Sequence, residues 1–525
     1  MKKILKLLSI SIILLSCGCN KQQINEPSTS NFISEIKKTK SGKTYYSLDG
    51  KPVTPIGIQI RTDLLIYKEN KSFDEIKTYF QCAKNLGVSL VEIPLPWRES
   101  EPSKDMYNFR DVGKILSIAN ELELKVEFLL FSTNTTGWSD NVPDYIKEDS
   151  LTYPRYKSLK SPNGLFLVQN NAKLLEREGK WLNELMSAIN TWSISNNNTH
   201  VVSAIQIHNE SDTFPRFVLS QQEIMTVDGS RRLTDIEAWQ ETLDAYDYLG
   251  KVVKKSDYKC ITRVNVAQAY KDSWQNFVQK IYSLEGIDIV GDDTYEQTVS
   301  FNKSVIKDFN SQEIFNGNNF PHISENDGSY NTTPSLILGC LAMGGGYMIY
   351  DLATPEIAVN EYGWDDWSIV DNVTLQDKSH TSLSRKIING ITLAGSDFIL
   401  EDIENIASFN IRNNIPSEQI TQTMQTNRAL VTFEANNASM GYLITGDKYI
   451  DIYLTDDATI SIQGANYQPF LYTGYVNNDG SFIQKEKLNI TDSKLSLKGD
   501  KLYRLNIDNY ESNFKSNTID FIGGI

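Results

Sequence analysis

Clusters of basic residues are missing from this sequence. Beyond Lys2, Lys3 and Lys6 there is no run of Lys or Arg, and the 525 residues carry a formal charge of −15. A nucleic-acid binder shows a basic patch or stripe, so the balance argues against nucleic acid and against an anionic membrane surface as partners. Histidine is scarce: His200, His208, His322 and His380 are the only four, too few for a rich metal site. No His-Glu-x-x-His helix and no Gly-x-Ser-x-Gly elbow occurs. Gly344-Gly345-Gly346 lacks the Lys-Ser/Thr that would complete a phosphate loop. No metal and no cofactor is expected. Cys82, Cys260 and Cys340 stand far apart among apolar neighbours, a pattern of buried free thiols rather than metal ligands.

Long apolar runs are missing too. The run over residues 7–15 follows Lys2, Lys3 and Lys6 and falls well short of the ~20 residues that span a bilayer. It reads as a secretory signal. Leu14-Leu15-Ser16-Cys17 resembles the lipobox of bacterial lipoproteins, with a small residue directly before the cysteine. Cys17 is then the lipidated residue, and Cys19 fits the pattern less well. Residues 1–19 are expected to be signal and lipobox, and polar residues 20–45 a flexible tether. The chain is expected to be exported and held to a bacterial membrane, at its periplasmic face or the cell surface, by the lipid alone.

What is present is a long α/β alternation. Apolar residues make up 40% of the chain, enough for a large core. Short apolar runs at 54–60, 90–95, 125–131, 201–207, 260–266, 287–291, 322–324 and 346–350 alternate with helical patterns. In one of these Phe73, Ile76, Phe80, Ala83 and Leu86 recur every three or four residues. Eight such units predict a (β/α)8 TIM barrel over 46–400. From about 400 the helical period gives way to alternating segments at 429–434, 439–445, 450–455 and 501–507. These predict a C-terminal all-β, sandwich-like domain over 401–525.

Barrel active sites collect at the C-terminal strand ends. Two carboxylates fall there. Val201-Val202-Ser203-Ala204-Ile205-Gln206-Ile207 ends abruptly in His208-Asn209-Glu210, where the fourth strand should stop. Phe320-Pro321-His322-Ile323-Ser324 ends in Glu325-Asn326-Asp327-Gly328, where the seventh should stop. Retaining hydrolysis of a glycosidic bond needs two carboxyl groups, one acid/base and one nucleophile. An Asn before the acid can donate to the sugar 2-hydroxyl.

The pattern resembles glycoside hydrolase clan A, whose members place an Asn-Glu acid/base after strand four and a Glu nucleophile after strand seven. It is most similar to the β-galactosidase-type families 35 and 42. Trp97-Arg98-Glu99-Ser100-Glu101-Pro102 through Tyr107-Asn108-Phe109, Val142-Pro143-Asp144-Tyr145, and Ile287 to Tyr295 with its Asp-x-Tyr ending match segments of those families. Asp105 departs from the glycine usual in the Glu-Pro loop, and the 57–63 stretch matches neither family's first-strand motif. The resemblance implies a retaining β-glycosidase with Glu210 as acid/base and Glu325 as nucleophile, acting on an oligo- or polysaccharide. It implies that Tyr295 holds Glu325 and Asn209 orients the sugar. Arg61, Trp97, Trp138, Asp292 (or Asp293), His322 and Trp364 are counted as substrate contacts, while Glu101 is assigned no chemistry. Long loops after strands three and eight favour exo action. The alternative is a non-catalytic surface glycan-binding lipoprotein on the same scaffold.

Overall fold

The computed structural model of the protein describes residues 34–136, 140–158, 166–221, 224–267, 275–293, 320, 322–329, 333–342, 344–411, 420–435, 439–477, 479–490 and 494–511. Eight parallel strands close a barrel in chain order. They are β1 (Ile56–Gln59), β2 (Leu90–Pro96), β3 (Lys125–Phe131), β4 (Val202–Gln206), β5 (Ile261–Ala267), β6 (Ile289–Asp293), β7 (His322–Asp327) and β8 (Gly346–Tyr350), and β8 pairs back onto β1. Every residue of β2, β4, β6, β7 and β8 is buried. Burial on both faces is why β2 and β8 read as near-continuous apolar runs rather than alternations.

Local signals set the helices that wrap the barrel. Phe73–Leu86 starts on a Ser72/Glu75 capping box and stops at Gly87, which takes φ 90°. Asp235–Lys255 starts on a Thr234/Glu237 capping box. Asn171 caps Ala172–Ser195 by accepting from the N–H groups of Lys173 and Leu174.

Three expectations are corrected. β6 extends two residues past the expected end at 291, and β7 three past 324. Both strands continue through Asp and Glu because those acids face partners at the barrel mouth instead of apolar packing. The third correction is the tether expected to reach residue 45. Ser34–Lys38 and Thr44–Leu48 form antiparallel strands instead, with Lys51–Pro52 as a third. The polar composition hid an alternation whose inner members include Tyr46 and Leu48. These pack on Ala204, Ile261, Ile289 and Phe320 at the strand starts. Tyr46 donates to Glu127 of β3 at 3.1 Å.

The C-terminal region forms a six-stranded and a four-stranded antiparallel sheet. Val431, Phe433 and Ile460 of the smaller sheet share a core with Leu443, Ile450 and Leu505 of the larger one. The larger sheet also packs on the last barrel helix, Thr381–Leu400. There Tyr442 donates to the Gly390 carbonyl and Tyr453 to that of Lys386, both at 2.6 Å. A Cβ on Gly390 would lie 2.4 Å from the Tyr453 ring, so glycine is required at this crossing. No helix of the described residues is long and apolar enough to cross a membrane.

Candidate active site

The turn after β4 is strained and clamped. His208 and Glu210 have φ of 56° and 44°, in the left-handed region that costs a residue with a Cβ about 1–3 kcal/mol. Side chains hold it there. The His208 ring meets Glu178 of helix Ala172–Ser195 at 2.9 Å, both groups buried. Asn209 Oδ1 accepts from Gln206 at 2.9 Å and from Asn265 at 3.1 Å. The Glu210 N–H donates to Asn265 Oδ1 at 2.9 Å. The result is a half-buried Glu210 aimed by the fold rather than by its own preference. Burial, then the charge of Glu325, then that of Asp212, push its carboxyl up to about 8, against the opposing pull of Arg216.

Glu325 comes from β7 and is buried. Its Oε1 accepts from Gln59, the last residue of β1, at 3.2 Å. Asp293 of β6 is its partner across the ladder. Asp293 Oδ2 accepts from Asn265 at 2.8 Å. Asn265 therefore joins Asn209, Glu210 and Asp293. Burial and the charges of Glu325, Glu210, Asp292 and Asp212 raise Asp293 well above the usual carboxyl range. Asp292 pairs in register with Val266 and Ile323, on the opposite face of β6. The acid that faces the site is Asp293, and the assignment of Asp292 as a sugar contact is corrected.

Deeper in the barrel lies a second charged layer. Arg263 of β5 donates to Glu127 at 2.9 Å and also to Glu92 and Gln206. His322 stands beside Glu92 and Glu127. Cβ atoms on Gly291 and Gly346 would lie 2.8 and 2.7 Å from its ring, so two glycines make its slot. His322 is the first residue of β7, three before Glu325, and is 2% exposed. It cannot meet a sugar at the mouth, and its place among substrate contacts is corrected. Glu92, Glu127 and His322 are spaced to hold a cation, but the Arg263 guanidinium already occupies both carboxylates.

Trp97 is corrected on the same ground. It is fully buried, stacks on Trp181 with 5.4 Å between ring centroids, and donates to Glu101 at 2.8 Å. Glu101 also pairs with Arg177. Arg61, by contrast, lies at the mouth. It clasps Asp63 at 2.9 and 2.7 Å, donates to the Tyr350 hydroxyl at 3.0 Å, and lies 4.9 Å from the Trp364 ring centroid. Trp364, Trp367 and Tyr350 follow one another at 6.2 and 5.7 Å. They make an aromatic wall from β8 and its loop, with both tryptophans half-buried. At its base Asp351 accepts from Thr354 at 3.0 Å and is pushed up to about 7 by burial. Trp138, Tyr295 and Cys17 lie outside the described residues.

Several residues at the site carry no motif. Asn265 and Gln59 are amides inside strands, and Asp212 and Arg216 form an ion pair within the helical turn after Glu210. The period-two alternation of β5, with Arg263 and Asn265 on the inner face, was the one available signal.

Residues 242–416 match a family model described as a domain of unknown function, DUF4978. The match contains Glu325 but begins after Glu210. No curated protein matches the sequence. Among solved structures, an exo-β-1,4-mannosidase from Opitutaceae bacterium strain TAV5 is similar at 13% identity and TM-score 0.47, over 69% of this chain and 63% of that one. A β-galactosidase from the haloarchaeon Halorubrum lacusprofundi is similar at 9% identity and TM-score 0.44, over 66% and 58%. A β-galactosidase from Marinomonas ef1 is similar at 9% identity and TM-score 0.44, over 65% and 60%. The chain thus spans less than two thirds of the length of each of these proteins.

Proposed function

We propose that this chain is a retaining β-glycoside hydrolase, β-galactosidase-like in its sugar. The observation that carries the proposal is that Glu210, after β4, and Glu325, of β7, are joined at the barrel mouth through Asn265 and Asp293. Two carboxyls from opposite strand ends feel each other, and the one after Asn209 is pushed up to about 8. A protonated carboxyl beside a second carboxyl is what double displacement requires. Glu325 attacks the anomeric carbon while Glu210 gives its proton to the leaving oxygen. The glycosyl ester on Glu325 then yields to a water whose proton Glu210 takes back. Asn209 is suited to hold the 2-hydroxyl, and Trp364 to stack on a sugar ring.

The test is turnover of a panel of aryl β-glycosides (galactoside, glucoside, mannoside, xyloside, fucoside, arabinoside) beside Glu325→Gln. One hydrolysed member, with the β-anomer as first product and no turnover by the variant, supports the proposal. Full activity in Glu325→Gln overturns it. Tight glycan binding with no cleavage of any glycoside or polysaccharide overturns it in favour of a binding protein. Export and anchoring through Cys17 are proposed alongside. Mass spectrometry of the membrane fraction should find a diacylated Cys17, and a Cys17→Ala chain should leave that fraction.

A further inference from the structure

We propose that Asp293 is a positioning residue that stays protonated in the resting site and donates its hydrogen to the carboxylate of Glu325. This rests on Glu325 being the nucleophile. The argument begins with hydrogen-bond accounting. Asp293 is 0% exposed, and a buried carboxylate needs donors for both oxygens. Oδ2 has one, from Asn265 at 2.8 Å. Oδ1 has none among the described residues.

Among the described residues no cation pairs with Asp293 directly: Arg263 feels its charge but binds other carboxylates. Glu325 is its partner across the ladder, at a register shift that lies between Asp292 and Asp293, and its charge acts on Asp293. Glu210 and Asp212 approach from the turn after β4, and Asp292 precedes it on its own strand. Of the nearby cations, Arg216 is held by Asp212, and Arg263 by Glu92 and Glu127. Asn265 cannot reach Oδ1 as well, because it already serves Asn209, Glu210 and Asp293 Oδ2.

An ionised Asp293 would therefore bury an unpaired charge against other acids, which is strongly unfavourable. A neutral Asp293 removes that charge and turns Oδ1 from an orphan acceptor into a donor. The acceptor across the ladder from it is Glu325. One proton then does two things: it relieves the repulsion and helps keep Glu325 ionised and aimed.

Infrared difference spectroscopy tests this without substrate. In the Glu210→Gln background at neutral pH, subtracting the spectrum of the full chain that also carries Asp293→Asn should leave a protonated-carboxyl band. A difference spectrum without such a band overturns the proposal. Kinetics give the second measure. Asp293→Asn keeps an uncharged side chain with an acceptor for Asn265 and a donor for Glu325, so kcat/KM should stay within about 5-fold of wild type. Asp293→Ala should lose about 10- to 100-fold. Equal loss in the two variants overturns the proposal. If the chain turns over no glycoside, the band still decides the state of Asp293, while the enzyme reading fails separately.

Discussion

The backbone N–H of Glu210 donates to Asn265 Oδ1 at 2.9 Å, so an amide on β5 sets the angle at which the proposed acid leaves β4. The same amide donates to Asn209 and Asp293. Asn265→Ala should release a left-handed turn from its clamp and orphan three polar groups. Misplacing a reacting group by about 1 Å costs on the order of 100-fold in rate, and unsatisfied buried groups cost about 1–3 kcal/mol. Steady-state kinetics should therefore show kcat down on the order of 100-fold, and thermal melts a modest loss of stability. Wild-type kcat in the variant would show that the turn holds itself.

The pH dependence follows from Glu210. A general acid works protonated, and Glu210 is pushed up to about 8, so kcat/KM should fall as pH rises through about 8. Arg216 pulls that carboxyl down, so Arg216→Met should move the alkaline limb upward. Stability responds with the same sign. The folded chain keeps a proton that the unfolded chain releases above its ordinary value of 4.5. The associated stability is complete below that pH and is lost as pH rises towards about 8. Melts of Glu210→Gln should lack that decline. An alkaline limb unmoved by Arg216→Met would detach the limb from Glu210.

Strand-end carboxylates were legible because they break apolar runs. Glu210 follows a strand whose polar members are Ser203 and Gln206, across His208 and Asn209, and Glu325 interrupts a run in which only His322 and Ser324 are polar. Depth in the barrel was not legible. His322 and Glu325 share one motif, yet three residues of strand carry one to the charged layer and the other to the mouth. Trp97 had the same ambiguity: a tryptophan after a strand reads alike whether it lines a cleft or stacks on Trp181. Asn265 and Asp293 were hidden for another reason. Their roles depend on register between β5, β6 and β7, a relation between distant segments that local pattern does not hold. The hairpin of Ala465–Val476 and Phe482–Asn489 was missed because its second strand is nearly all exposed and carries no apolar alternation.

The layer under the site should govern stability rather than chemistry. Arg263 is 1% exposed and neutralises Glu92 and Glu127, themselves 0% and 1% exposed. Removing one partner of such a group leaves buried charge uncompensated, at about 3–5 kcal/mol. Arg263→Met should lower the urea midpoint accordingly, while Glu92→Gln in the same chain should recover part of the loss. A midpoint equal to wild type in Arg263→Met would mean that the two carboxylates are already neutral.

Two tryptophans that look alike in the sequence should separate cleanly by experiment. Trp97 is enclosed, stacked on Trp181 and bonded to Glu101, so Trp97→Ala should cost about 3–5 kcal/mol of stability. Trp364 is half-buried over Arg61. Its loss forfeits a cation–π contact of about 0.5–1 kcal/mol, so Trp364→Ala should melt close to wild type. If a sugar ring rests on its outer face, the lost stacking of about 0.5–1.5 kcal/mol should raise KM up to about 10-fold with kcat little changed. Melting curves and KM for the two variants on the same glycoside decide it. A Trp364 variant with unchanged KM removes that ring from the substrate cleft. A Trp97 variant that keeps its melting temperature but loses affinity would move the cleft to the β2 side of the barrel.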